Sequence, residues 1–157
     1  MPYIVIQRPF RKGFIPKAEV LRDIASRVLA IYQPDVEVTI RIVSLNEMQA
    51  LNRQYRHKDK PTNVLSFKMD VPHGMVLSPK PLGDIVICAD VVNEEAALDN
   101  IPPLSHWVHM VIHGTLHLLG YDHETNQEAD VMQAIEANFM QQLGFNNPYS
   151  SGSERLI

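Results

Sequence analysis

The sequence predicts an α+β layer sandwich, a small, mostly β core sheet with helices packed mainly on one face. Three observations carry that expectation. Strand-like and helix-period runs alternate through the first half of the chain. Three consecutive helical runs close it, and 157 residues without an internal repeat suit one domain around one core. The expected order is roughly βαβαββααα, with a single domain over residues 1–145 and a disordered tail over 146–157.

The elements follow in order. "YIVIQ" (3–7) is a short strand. Pro16, at a first helical position, opens a run with apolar Val20, Leu21, Ile24, Val28, Leu29 and Tyr32, and Pro34 stops it. "VEVTIRIV" (36–43) alternates strictly, which marks a half-buried strand with Val36, Val38, Ile40 and Ile42 inward. Ser44 and Glu47 form a capping box for a helix carrying Leu45, Met48, Leu51 and Tyr55. The basic loop "RHKDKPT" leads into the strand "NVLSF", and "VPHGMVLSPKPLG" is a loop rich in Pro and Gly. "DIVICA" is continuously apolar, as a central strand buried on both faces would be. One helix then runs from about Asp90 to Asp99, and a second starts near Ser105 behind Pro102–Pro103. Thr125 and Glu128 cap the last, whose stripe is Met132, Ile135, Phe139, Met140 and Leu143, with Gly144 as terminator. The tail "NNPYSSGSERLI" has no periodicity.

Composition excludes several classes. A chain 45% hydrophobic and 20% charged is ordinary for a globular protein, and no apolar run exceeds about five residues, too few for a membrane span. The N-terminus "MPYIVIQRPFRKGF" lacks the apolar core of a secretory signal. The single Cys88 lies in an apolar run and founds no disulfide framework, so a reducing cytoplasm is the expected compartment. Net charge is −4, but residues 1–80 hold thirteen of the fourteen Lys and Arg, a net of +6, whereas residues 81–157 carry −10. That asymmetry fits a nucleic-acid surface on the basic half and fits the bland solvation of two faces nearly as well.

The chemistry is concentrated in "HGTLHLLGYDHE", His113 to Glu124, which has the H-x-x-x-H-x-x-G-x-x-H ligand spacing of zinc metalloproteases. His113 and His117, at i and i+4, lie about 6 Å apart along a helix axis and about 40° around it, so both imidazoles can reach one ion. Gly120 can take the positive φ that reverses the chain and returns His123 to the same point. Three neutral imidazoles with an open fourth position describe a catalytic zinc site, which lowers the pKa of bound water. The glutamate that serves the proteases as general base is missing, since Gly114 stands there.

These residues resemble the YbeY family of bacterial rRNA maturation factors. "LNRQYRHKDKPTNVLSF" (51–67) is similar to the family segment ending in T-D/N-V-L-S-F, "LGDIVICADVV" (82–92) to its L-G-D-I strand, and the last helix with Met132 and Glu136 also fits. Asn63 stands where many members have Asp. The resemblance implies a metalloprotease-like α+β sandwich and a metal-dependent endoribonuclease. It implies one Zn²⁺ per chain, or another divalent metal in its place, on His113, His117 and His123, with Arg56 as the functional arginine. It further implies cytoplasmic action on single-stranded RNA, in small-subunit rRNA 3′-end (16S) processing, ribosome quality control and late ribosome assembly with the small subunit as partner.

Phosphodiester cleavage needs an activated nucleophile, stabilised phosphate charge and a proton for the leaving oxygen. Arg56, a permanently charged planar fork, suits phosphate. Arg53, Lys58 and Lys60 beside it would track an RNA backbone, and Tyr55 can stack on a base. Asp84, His109, Asp122 and Glu124 are candidates for proton transfer or for orienting the ligands. Either water or the RNA 2′-hydroxyl can be the nucleophile. Two other classes stay open: an assembly factor whose metal is structural, and a peptidase, disfavoured because Gly114 cannot act as a base. Gly114 is also expected to leave room beside the metal for a bulky phosphodiester.

Overall fold

The computed structural model describes residues 1–149. Its elements run β1 (Tyr3–Gln7), α1 (Ala18–Tyr32), β2 (Val36–Val43), α2 (Leu45–Arg56), β3 (Val64–Lys68), β4 (Lys80–Cys88), α3 (Ala89–Leu98), α4 (Pro103–Leu118) and α5 (Asn126–Gln142). The four strands order as β1-β2-β4-β3. β1, β2 and β4 are parallel, and β3 returns antiparallel along the outer side of β4. This is the α+β sandwich that the sequence predicts, in the expected order.

Strand periodicity assigns the two sheet faces. Val36, Val38, Ile40 and Ile42 of β2, with Ile85 and Ile87 of β4, face the main core together with α1, α3, α4 and α5. Val86 and Cys88 of β4 point the other way and join Val43, Met48 and Leu65 in a second, smaller cluster under α2. β4 is thus buried on both faces over its C-terminal half, as its unbroken apolar run requires. Each fully buried Ile or Leu of this kind contributes roughly 1.5–3 kcal/mol.

α4 is the axis of the larger layer. It touches α1, α3, α5, β3 and β4, and every residue from His106 to Leu116 is buried. A helix enclosed on all sides must be apolar around its circumference or pair its polar groups. This one does both. Trp107 Nε1 donates to Asn93 at 2.8 Å, His106 meets Glu95 at 2.8 Å, and Thr115 donates to the Val111 carbonyl at 2.6 Å.

Local details differ from the sequence reading. α1 begins at Ala18, because Lys17 is still extended and acts as the cap, leaving Pro16 outside the helix. The capping box of α2 is half-formed: Ser44 accepts from the Glu47 N–H, but the Glu47 carboxylate is taken by Arg41 at 2.8 Å. The box at Thr125 and Glu128 is complete. Of the tail expected to be disordered, residues 146–149 are described and Tyr149 is held by side-chain contacts, whereas residues 150–157 lie outside the described residues. No helix among the described residues is long and apolar enough to cross a membrane.

Candidate metal centre

His113 and His117 occupy the last two turns of α4, on one face. The helix ends in a Schellman turn: Gly120 takes φ +105°, its N–H donates to the His117 carbonyl at 3.0 Å, and the Tyr121 N–H reaches the Leu116 carbonyl at 3.1 Å. Tyr121 packs against the main core, which fixes the direction of the departing chain. Three residues beyond the glycine, His123 is returned to the first two histidines.

The three imidazoles converge. Ring centroids lie 4.6 Å apart for His113 and His117, 5.0 Å for His117 and His123, and 5.6 Å for His113 and His123. One ligand atom from each lies within 4.8 Å of the others. His113 Nε2 and His117 Nε2 are 3.1 Å apart. A tetrahedral ion with bonds of ~2.0–2.1 Å spaces its ligand nitrogens by ~3.4 Å, so this donor set fits a divalent metal with little movement. Burial, and then the neighbouring His113 and His123, push His117 down to about 4, which keeps its imidazole neutral and its lone pair available near pH 7.

Behind His113 stands a carboxylate that sequence reasoning did not single out for a role. Glu136 of α5 is 1% exposed, and its Oε1 lies 3.1 Å from His113 Nδ1 and 2.6 Å from His109 Nε2. Burial alone would raise its pKa, but hydrogen bonds from His109 and His113 prevail and hold it down to about 2. An ionised carboxylate only accepts, so His113 carries its proton on Nδ1 and presents a bare Nε2 to the centre. Burial lowers the pKa of His109 despite Glu136, and it donates as a neutral imidazole. The signal was in the sequence. Glu136 lies four residues after Met132 and four before Met140 on a buried helical stripe, where an acid needs a partner.

A cleft of about 1060 Å³ opens over the histidines and runs along the edge strand β3. Its walls come from both sides of the sheet. His113, His117 and His123 enter from the α4 side, and Tyr55, Arg56, Lys58 and Lys60 from the end of α2 and the loop after it. Arg56 donates to the Ser66 carbonyl of β3 at 3.1 Å, with its guanidinium carbon 5.4 Å from the Phe67 ring centre. Tyr55 meets that ring edge-on, with centroids 5.1 Å apart. Buried Asn52 pins the loop by donating to the Lys60 carbonyl at 2.8 Å.

The other sequence candidates divide. Asp122 and Glu124 line the cleft, and Asp122 accepts from the His123 N–H at 2.8 Å. His109 stands behind the centre, on Glu136. Arg53 is not in the lining and lies 3.8 Å from Asp59 on the surface. Asp84 is not brought to the histidines. It pairs in register with Phe67, on the face opposite Ile85 and α4, because residues alternate along β4. Its carboxyl pKa is raised by partial burial.

Gly114 answers a packing need, not a need for space beside the metal. A Cβ there would lie 2.7 Å from Ile85 Cγ2 and 3.3 Å from both Ser66 Oγ and Val64 Cγ2. The residue faces the sheet, and its carbonyl accepts from Ser66 Oγ at 2.9 Å.

A family model described as endoribonuclease YbeY matches residues 15–144. Among solved structures, the chain is similar to the solution structure of TM1509 from Thermotoga maritima, at 27% identity and a TM-score of 0.57, over 99% of this chain and 100% of that one.

Proposed function

Because the chain belongs to the YbeY endoribonuclease family, we propose that the cleft along β3 is where it cuts single-stranded RNA. The substrate is rRNA of the small ribosomal subunit, cut during 3′-end maturation, quality control and late assembly in the cytoplasm. The observation that carries this reading is the meeting of three histidines and Arg56 in one cleft.

His113, His117 and His123 would hold one Zn²⁺. The ion supplies Lewis-acid stabilisation of phosphate charge when bound. The chain's own groups do the rest. Arg56 is anchored through one nitrogen on the Ser66 carbonyl and lies over Phe67, which leaves the remaining N–H groups of its fork for a phosphate. Lys58 and Lys60 extend the positive wall along the RNA backbone, and Tyr55 offers a ring face to a base. Asp122, one oxygen of which accepts the His123 backbone N–H, and Glu124 are the cleft carboxyl groups assigned to proton transfer. Arg56 also occupies a backbone acceptor of the edge strand that an extended peptide would need, which argues against a peptidase.

The test incubates Zn²⁺-loaded protein with single-stranded RNA and with an unfolded peptide, alongside Arg56→Ala and His113→Ala. Cleavage of RNA alone, abolished by His113→Ala and reduced at least 10²-fold by Arg56→Ala, is the expected result. RNA cleavage indifferent to both substitutions refutes the assignment. RNA left intact with every metal, while small subunits still bind, replaces it with a non-catalytic assembly factor.

A further inference from the structure

One Glu136 oxygen gathers three donors: His109 at 2.6 Å, His113 at 3.1 Å and the Tyr149 hydroxyl at 3.0 Å. Two of these come from α4. The third comes from the segment after α5, beyond the residues 15–144 that the family model matches. That segment turns back over the histidine helix by contacts of its own. The Phe145 N–H donates to the Met140 carbonyl at 2.8 Å, and the Tyr149 N–H donates to Asn147 Oδ1 at 2.8 Å. The Tyr149 ring meets His109 edge-on, with centroids 5.4 Å apart.

We propose that Tyr149 is a positioning residue for the three-histidine centre. Its hydroxyl holds the Glu136 carboxylate against His113 Nδ1, so the segment after α5 sets how tightly the histidines retain a divalent ion. The terminal torsion of a glutamate is broad, and a carboxylate held only by the two histidines can pivot toward the closer one, His109. The hydroxyl, which also lies 3.1 Å from His109 Nε2, adds a third bond to the shared oxygen and narrows that freedom. His113 then keeps its tautomer and its ring orientation, the two properties that an outer carboxylate confers on a ligand. Among the described residues, Tyr149 is the one side chain outside α4 that bonds to Glu136.

The inference rests on the metal reading above and is tested apart from RNA cleavage. Zn²⁺ affinity of the full chain is measured by competition with a chromophoric chelator for the wild type, Tyr149→Phe, Glu136→Gln and the double variant. Thermal unfolding of the metal-free proteins runs in parallel. Loss of an outer-shell partner weakens metal binding by about 10–100-fold. Glu136→Gln is expected within that range and Tyr149→Phe near its lower end, with little further loss in the double variant. If Tyr149→Phe lowers the unfolding midpoint and leaves the affinity unchanged, the proposal is overturned and the metal reading stands. Losses that add in the double variant overturn the route through Glu136. A wild type that binds no Zn²⁺ overturns both readings. Tyr149→Phe decides the matter alone if the Glu136 variants do not fold.

Discussion

Replacing Gly114 by alanine sets two effects of opposite sign against each other. Alanine in a helix interior is favoured over glycine by about 1 kcal/mol. Against that, the new methyl would lie 2.7 Å from Ile85 Cγ2, with Ser66 Oγ and Val64 Cγ2 each 3.3 Å away. Overfilling a packed contact costs about 1–3 kcal/mol. Relief by lifting α4 off β3 stretches the 2.9 Å bond from Ser66 Oγ to the Gly114 carbonyl, worth about 1 kcal/mol. The expected net is a destabilisation of about 1–3 kcal/mol, read as a lower urea midpoint with an unchanged slope. RNA cleavage should fall further than stability, because Ser66 also carries Arg56 and His113 is the adjacent residue. Ile85→Leu moves the offending branch away from Cβ, so it should recover part of the loss in a double-mutant cycle. A Gly114→Ala protein about 1 kcal/mol more stable than the wild type would refute the packing argument.

Gly120→Ala should cost about 1–2 kcal/mol through backbone strain alone, since φ is +105° and the nearest non-neighbouring atom to a new Cβ is Lys68 Nζ at 4.0 Å. It should also weaken Zn²⁺ binding, measured by chelator competition, because the turn delivers His123. Asp84 supplies the pH dependence. Its folded pKa is raised, so the stability it lends is present below the unfolded value near 3.8 and is lost as pH rises through the folded value. Asp84→Asn should therefore stabilise slightly at pH 7, by less than about 0.5 kcal/mol at so exposed a site, with the gain vanishing near pH 3. RNA cleavage should be unchanged; a large loss would return Asp84 to the catalytic machinery.

The strands, the helices and the histidine centre were legible because each rests on a local period. Alternation placed Val36 to Ile42, and the i, i+4 spacing with a helix-ending glycine placed His113, His117 and His123. Groups whose role depends on another element were misplaced or missed. Asp84 adjoins a strand that packs on the histidine helix, but the parity of β4 turns it to the other face. Glu47 has the spacing of a capping box, yet Arg41 from β2 takes its carboxylate. Glu136 reads as an interruption of an apolar stripe until α4 supplies two imidazoles. Tyr149 falls in a stretch without periodicity, and only the folded chain shows what its hydroxyl reaches.

The two walls of the cleft rest on different foundations. His113 and His117 stand on α4, and His123 follows the turn that ends it, backed by the large cluster α4 shares with α1, α5 and β2. Arg56 ends a helix whose seat is the separate set of Val43, Met48, Leu65, Val86 and Cys88. Leu65 and Val86 of that set alternate along β3 and β4 with Val64, Ser66 and Ile85, the residues that face Gly114 of α4. In the proposed reading, substrate grip and metal retention thus draw on two different clusters that meet at one edge strand, where Ser66 holds Arg56 through its carbonyl and α4 through its hydroxyl.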